Sequence, residues 1–399
     1  MLLYVSSNVE QMDSNVESQF NQYPQTLRYP TTQDASAVSQ NDLVAQQLDN
    51  NASSLRQRLY MLFTYYHDYT TFSNEAWIDS NNNLNGYDSI ESLHDQIHGL
   101  TGNGGHMTYI DYSAFDPLFW LHHAMVDRCF AMWQILNPNS YVAPEPARYS
   151  TFTNSAGQTQ DVSSLLTPFH KDVTGDFWTS EDVRGTETFG YSYPETTNYA
   201  GGNSTSQVIE AINRLYGPIA SASSQLDSRS LPSRISGNAS SDPRSWEWTA
   251  NIRVQKYALA VPFYIHIFIG PFNSDPFSWS FEPNLVGTHF VFVKAFSTFS
   301  APCHCNSDPM VGATIPLTDS LVKNINQGNL KTLDPDDVNP FLAKNLSYRL
   351  SYLNDTEISK GSVPSLKISV VSVAVTKPRS NDELPRWGNL RGHMDVSTG

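Results

Sequence analysis

The sequence predicts an α+β fold, helical in its first half and strand-rich in its second. Three observations carry this. Apolar residues recur at three- and four-residue steps from Leu55 to Trp133. From Trp246 onward, β-branched and aromatic runs alternate with turn residues. The chain has 399 residues with 39% hydrophobic and 12% aromatic content, enough for more than one sizeable core.

Residues 1–50 are rich in Gln, Asn and Ser and read as irregular, with a short helix near 42–48. Leu55, Leu59, Leu62 and Phe63 then mark a helix over about 53–66. The polar run 79–86 (DSNNNLNG) is a loop. A second helix covers about 89–100, stopped by the glycines of 102–105. The third has a clear start, with Asp116 as N-cap and Pro117 in the first turn. Its apolar stripe runs through Phe119, Trp120, Val126, Phe130 and Trp133, and Pro138 stands beyond its end. After Tyr141 the chain is loop-rich, and 189–195 (FGYSYPE) is a plausible boundary. A helical patch covers 206–215. Strands are expected over 248–254, 263–269, 289–296, 348–353 and 366–375. The division is therefore an irregular segment 1–50, a helical domain 51–197 and a β-rich domain 198–399.

Charge narrows the function. Lys and Arg number 24 against 39 Asp and Glu, a formal charge of −15, which excludes a phosphate-backbone binder of nucleic acid. No apolar run reaches the roughly 18 residues of a membrane helix; the longest candidate, 257–270, is broken by Pro262 and His266. Residues 1–8 have neither a basic nor an extended apolar region, so no secretory leader is expected. Three cysteines do not make a disulfide framework. A cytoplasmic location follows as an expectation.

The histidines carry the chemistry. His94 and His98 stand at i and i+4 on one helical face and can reach one metal ion. His122 and His123 are about 100° apart on their helix, so one of them should share that site. Burying several imidazoles in aromatic helices is costly unless something binds them, and an all-nitrogen site suits copper or zinc. A zinc protease is the first competitor, because HDQIH is similar to H-E-x-x-H. However, Asp95 is one methylene shorter than the glutamate needed there, and no third ligand follows at the expected spacing.

Residues 94–98 (HDQIH), 105–107 (GHM) and 113–128 (SAFDPLFWLHHAMVDR), with Trp133 and Gln134, resemble the second copper site of the tyrosinase family. Residues 252–258, 279–288, 330–339 and 364–372 also resemble fungal tyrosinases. The resemblance implies a four-helix core holding two coppers and a β-rich C-terminal domain that shields the site. It implies a tyrosinase-like oxidoreductase that converts monophenols and o-diphenols to o-quinones with O2, the chemistry behind melanin. Carried over by position, the copper ligands are His94, His98 and His123, with His122 beside the site. Glu91 stands where a glutamate in some relatives orients a water. Asp95 stands where many have Asn, either as a base toward the phenol or as a surface charge. Asp127 and Arg128 match the family's VDR and read as structural.

A complete site of this type has two coppers and six histidines, and the first three belong upstream. N-terminal to His94 this chain has His67 alone, in an aromatic helix end that matches no first-site motif. Residues 23–30 (YPQTLRYP) resemble the connection that follows the first site, as though the chain began midway. The expectation is one copper, from either a truncated or a single-site relative. The alternative function is a single-copper-binding pseudoenzyme. An oxygen carrier is the third reading. Cys303, His304 and Cys305 form a cluster suited to Cu(I) handling, with two reduced loop cysteines as the plainer reading. Cys129, His266 and His289 read as satisfied core residues, and His106 lies in the loop between the two helices.

Overall fold

The computed structural model describes residues 25–77, 87–147, 150–151, 153–197, 204–217, 244–294 and 309–397. The Cys303–His304–Cys305 cluster and the loop at 79–86 fall outside them.

Helix α1 spans Asn41–Tyr65 and so begins within the stretch expected to be irregular. The polar residues that hide it are held by contacts: buried Gln47 reaches the Ser280 carbonyl (3.1 Å) and Asn51 bonds back to Gln47 O (2.9 Å). A short helix α2 (Tyr69–Ser73) follows, N-capped by Asp68. Helix α3 (Ile90–Gly102) starts at Ser89, whose hydroxyl accepts from Ser92 N–H, and ends at Asn103 in the left-handed region (φ 39°). Helix α4 (Pro117–Leu136) has the expected Asp116 cap, which accepts from Leu118 N–H at 2.8 Å. Arg28 grips the same carboxylate with both Nε and an η-nitrogen. Helix α5 (Ser204–Leu215) completes the group. Its Val208, Ala211 and Ile212 pack with Leu59, Phe63, Met132 and Trp133 in one buried cluster. Five helices therefore share a core, α2 through Phe72 and α3 through Ile90 and Leu93, and the fifth comes from beyond residue 197.

Between α4 and α5 lie two short hairpins, β1 (Glu145–Pro146) with β2 (Thr159–Gln160) and β3 (Leu165–His170) with β4 (Phe177–Thr179). The second half consists of two antiparallel sheets. One is formed by β5 (Arg244–Gln255), β8 (Met310–Pro316), β11 (Lys367–Thr376), β12 (Arg386–Trp387) and β13 (Arg391–Asp395), with order β12–β11–β5–β8 and β13 along β11. The other has the order β10–β9–β6–β7, from β6 (Phe263–Ile269), β7 (Leu285–Val291), β9 (Leu346–Tyr352) and β10 (Glu357–Ile358). Inward residues Trp248, Ile252 and Val370 of the first meet Ile265, Ile267 and Leu350 of the second in a buried apolar core. Helices α6 (Thr318–Asn326) and α7 (Pro335–Asn345) cover its end.

Two strand expectations need correction. The strand expected at 289–296 is β7, ending at Val291, because the β6 ladder pairs Phe263 with Val291 and extends back to Leu285. β8 (MVGATIP) is a strand the sequence pattern does not mark, since its Gly312 and terminal Pro316 break the apolar run. Gly312 is required there: a Cβ would lie 2.9 Å from the Tyr87 carbonyl.

The halves meet along α1 and α3. Gly99 of α3 lies flat on Phe290, where a Cβ would come within 2.5 Å of the ring, and the Tyr264 hydroxyl donates to the Gly99 carbonyl at 2.9 Å. Trp387 Nε1 donates to Thr64 Oγ1 of α1 at 3.0 Å.

Candidate metal centre

Helices α3 and α4 bring four imidazoles together. His94 Nε2 lies 3.1 Å from His98 Nε2 and 3.3 Å from His123 Nε2. The His94–His98 contact is not an ordinary hydrogen bond between neutral rings, because the other nitrogen of each is committed as a donor. His98 Nδ1 lies 2.7 Å from the Met107 carbonyl, and His94 Nδ1 lies 2.8 Å from Asp95 Oδ1. Each Nδ1 therefore carries the proton, and the two Nε2 lone pairs face one another. Nitrogens about 2.0–2.1 Å from one tetrahedral ion stand roughly 3.3 Å apart. The donor set and its spacing fit a metal ion.

His122 departs from expectation. Its spacing from His123 sets the two at different azimuths, yet the structure turns both rings into the cluster. The imidazoles are 5.2 Å apart and nearly perpendicular, so the site faces the flank of α4 between the two directions. Among the described residues, His94, His98, His122 and His123 offer ligand atoms that all lie within 4.8 Å of one another.

The surroundings keep these rings neutral. Burial, then the charge of His94, pushes His98 down to about 3. Burial and the three neighbouring imidazoles take His122 down to about 2, and burial with His94 brings His123 to about 4. Neutral imidazole is the metal-binding form. Phe292, just past β7, stacks on His98 (4.6 Å, 19°), and Phe119 stacks on His123 (4.0 Å, 26°).

Asp95 is 3% exposed and sits behind His94. It is thus neither a surface charge nor open to a substrate; it orients the ring as a ligand-supporting carboxylate does. Burial raises its pKa well above the ordinary range, opposed by Lys256. Glu91 Oε2 accepts from the Glu75 backbone N–H at 2.9 Å. Glu75 itself pairs with Lys256 Nζ at 2.6 Å. This places a lysine from the second half among three carboxylates of the first. Neither Glu75, Lys256 nor Phe292 is visible in the sequence pattern, since 181 residues separate the ion pair.

Other histidines have different roles. His67 Nδ1 lies 3.0 Å from Asn137 Oδ1, and His106 Nδ1 accepts from Leu27 N–H at 3.1 Å. His266 is satisfied by Thr288 and Ser351, but fully buried His289 has, among the described residues, a hydrogen-bond partner on neither nitrogen, so it is not the satisfied core residue expected. Cys129 packs in the helical core. Asp127 receives the hydroxyls of Tyr191 and Tyr193, and Arg128 pairs with Glu195. A cleft of about 240 Å³ between α1 and β5 has none of the four imidazoles in its lining.

Fold and site together describe a helical core, covered by a β-rich domain, that carries an all-imidazole cluster able to hold a metal ion. Residues 4–136 match the common central domain of tyrosinase, and residues 247–370 match the tyrosinase C-terminal domain. A tyrosinase of Neurospora crassa is 31% identical over 90% of this chain and 65% of its own length. One from Podospora anserina is 34% identical over 79% of this chain and 63% of its own. A solved structure of latent and active mushroom tyrosinase superimposes with a TM-score of 0.76 at 26% identity, covering 98% of this chain and 68% of that one. The chain belongs to the tyrosinase family of copper proteins. It spans just under two thirds of the length of the two fungal relatives.

Proposed function

We propose that this chain is a tyrosinase-like oxidoreductase acting on monophenols and o-diphenols with O2 to give o-quinones. One observation carries the reading: the Nε2 atoms of His94, His98 and His123 converge, in a chain of this family. These residues would hold one copper, which when bound supplies one-electron and O2 chemistry. The chain's own groups do the rest. Asp95 and the Met107 carbonyl hold the Nδ1 protons, which aims both α3 lone pairs inward. Phe292 and Phe119 exclude water from two sides. Because Phe292 belongs to the second half, we assign that half the shielding of the site. Asp95 is a positioning residue in this scheme, and Glu91 fixes the loop that carries Glu75.

A second reading is copper binding without turnover. His67 is the one histidine before His94, and its ring is engaged by Asn137. Copper stoichiometry and L-DOPA oxidation, measured before and after proteolytic removal of the second half, separate the two. Copper-dependent quinone formation supports the oxidoreductase. One tight copper, lost in His98→Ala, with no turnover in either form supports the alternative and overturns the first.

A further inference from the structure

We propose that the cleft between α1 and β5 binds a small organic amine, whose ammonium group pairs with Glu247 and whose hydrocarbon body fills the apolar walls. The site lies apart from the imidazole cluster and does not depend on how that cluster is read.

Alternation along β5 sends Trp248, Ala250 and Ile252 into the core between the sheets and turns Glu247, Thr249, Asn251 and Arg253 to the opposite face. The first half covers that face. Thr249 and Asn251 are buried, and the Arg253 guanidinium lies over the Tyr87 ring. Glu247 instead lines the cleft of about 240 Å³. Its walls include Tyr60 and Met61 of α1, Val375 of β11 and Trp387 of β12. The polar tips of the two rings are committed, Tyr60 Oη to Asn213 Oδ1 at 3.0 Å and Trp387 Nε1 to Thr64, so ring surface is what they offer a ligand.

Two other charges in the lining are also engaged. Asp319 Oδ2 accepts from Ser53 Oγ and from Gln57 Nε2 at 2.6 Å, and Arg56 donates to the Leu215 carbonyl at 2.8 Å. Glu247 takes the Thr318 hydroxyl, whose oxygen itself accepts from Trp248 N–H at 2.9 Å. Burial pushes the Glu247 carboxyl up to about 7; Thr318 opposes this, Asp319 adds to it and Lys377 opposes it. The lining tyrosines, Tyr60 and Tyr216, are kept protonated by burial. At neutral pH Glu247 is therefore a partly charged acid in an apolar cleft, and an ammonium supplies the compensation that the lining does not complete. The formal charge of −15 draws cations to the chain. The cleft is smaller than the roughly 300–1,000 Å³ of drug-sized sites, which suits a single ring or a short chain. Such a ligand would touch α1 of the first half and β11 and β12 of the second, and so bind across their boundary.

The test titrates the full chain with cyclohexylmethylamine and its neutral isostere cyclohexylmethanol in a calorimeter. At pH 8 the amine should bind at one site about tenfold or more tighter than the alcohol, as a charged hydrogen bond implies. Because the carboxylate is the binding form, amine affinity should fall about tenfold from pH 8 to pH 6, while that of the alcohol stays flat. Glu247→Gln should erase the preference for the amine. Ala52→Trp, at an exposed position of the lining, should weaken both ligands about tenfold or more by filling the mouth. No binding, equal affinity for amine and alcohol, or amine binding untouched by both substitutions overturns the proposal. The preference and its pH dependence are read on the unaltered chain, so the outcome does not hang on whether a variant folds.

Discussion

Helices α3 and α4 contribute two histidines each to one centre, yet they are built on opposite terms. Ten of the thirteen residues of α3 are buried, including His98, Asp95 and Gly99. Of the twenty in α4, five are buried, and four of these lie in its C-terminal half. The start of α4 leaves Trp120 58% and Leu121 70% exposed beside His122 and His123. α3 is fixed by its surroundings on every side. α4 is anchored at its far end by Trp133 and Cys129 and at its cap by Arg28. One helix brings preorganised ligands, and the other is a cantilever whose ligands depend on its two supports.

This contrast can be broken in graded ways. The largest effect is expected from acid, in the metal-free chain. His98 and His123 are held neutral to about 3 and about 4, while unfolded histidine takes up a proton near 6.5. Their stability contribution is therefore complete above pH 6.5 and is lost as pH falls toward those values, by up to about 1.4 kcal/mol per pH unit for buried His98 and by less for His123, which solvent screens. Urea midpoints between pH 8 and pH 4.5 measure the loss. NMR titration should show His123, at the exposed start of α4, protonating before the more buried His98 and His122, and His98 protonating before His123 would break the contrast.

Next is the buried pair of Arg58 and Asp88, which braces α3 from α1 with 2.6 and 2.9 Å contacts and 1% side-chain exposure on each partner. Asp88→Ala strands the guanidinium and should cost about 3–5 kcal/mol in chemical denaturation. Gly99→Ala should follow at about 1–3 kcal/mol, because the new methyl meets the Phe290 ring and lifts α3 from the sheet. Smallest is Trp120→Ser on the open face of α4, expected within about 0.5 kcal/mol of the parent. A large loss there would mean that this face is covered in solution.

The same contrast explains what the sequence reveals. The start of α4 is legible to the residue, because Asp116 and Pro117 announce it locally. The i, i+4 spacing of His94 and His98 is equally local. What escapes is tertiary. The start of α1 rests on Gln47 reaching Ser280, and β8 is specified by its neighbours β5 and Tyr87 rather than by its own pattern. His122 escapes because azimuth alone cannot say where between two directions a site lies. Lys256, Glu75 and Phe292 acquire meaning only when the halves are together.

Lys256 has a consequence for inheritance. Its ammonium compensates carboxylates that belong to the other half, among them the one that steadies His94. A chimera that grafts a relative's β region without a cation at this place would leave the acidic trio unbalanced. The two halves should accordingly be exchangeable between paralogues only as a matched set.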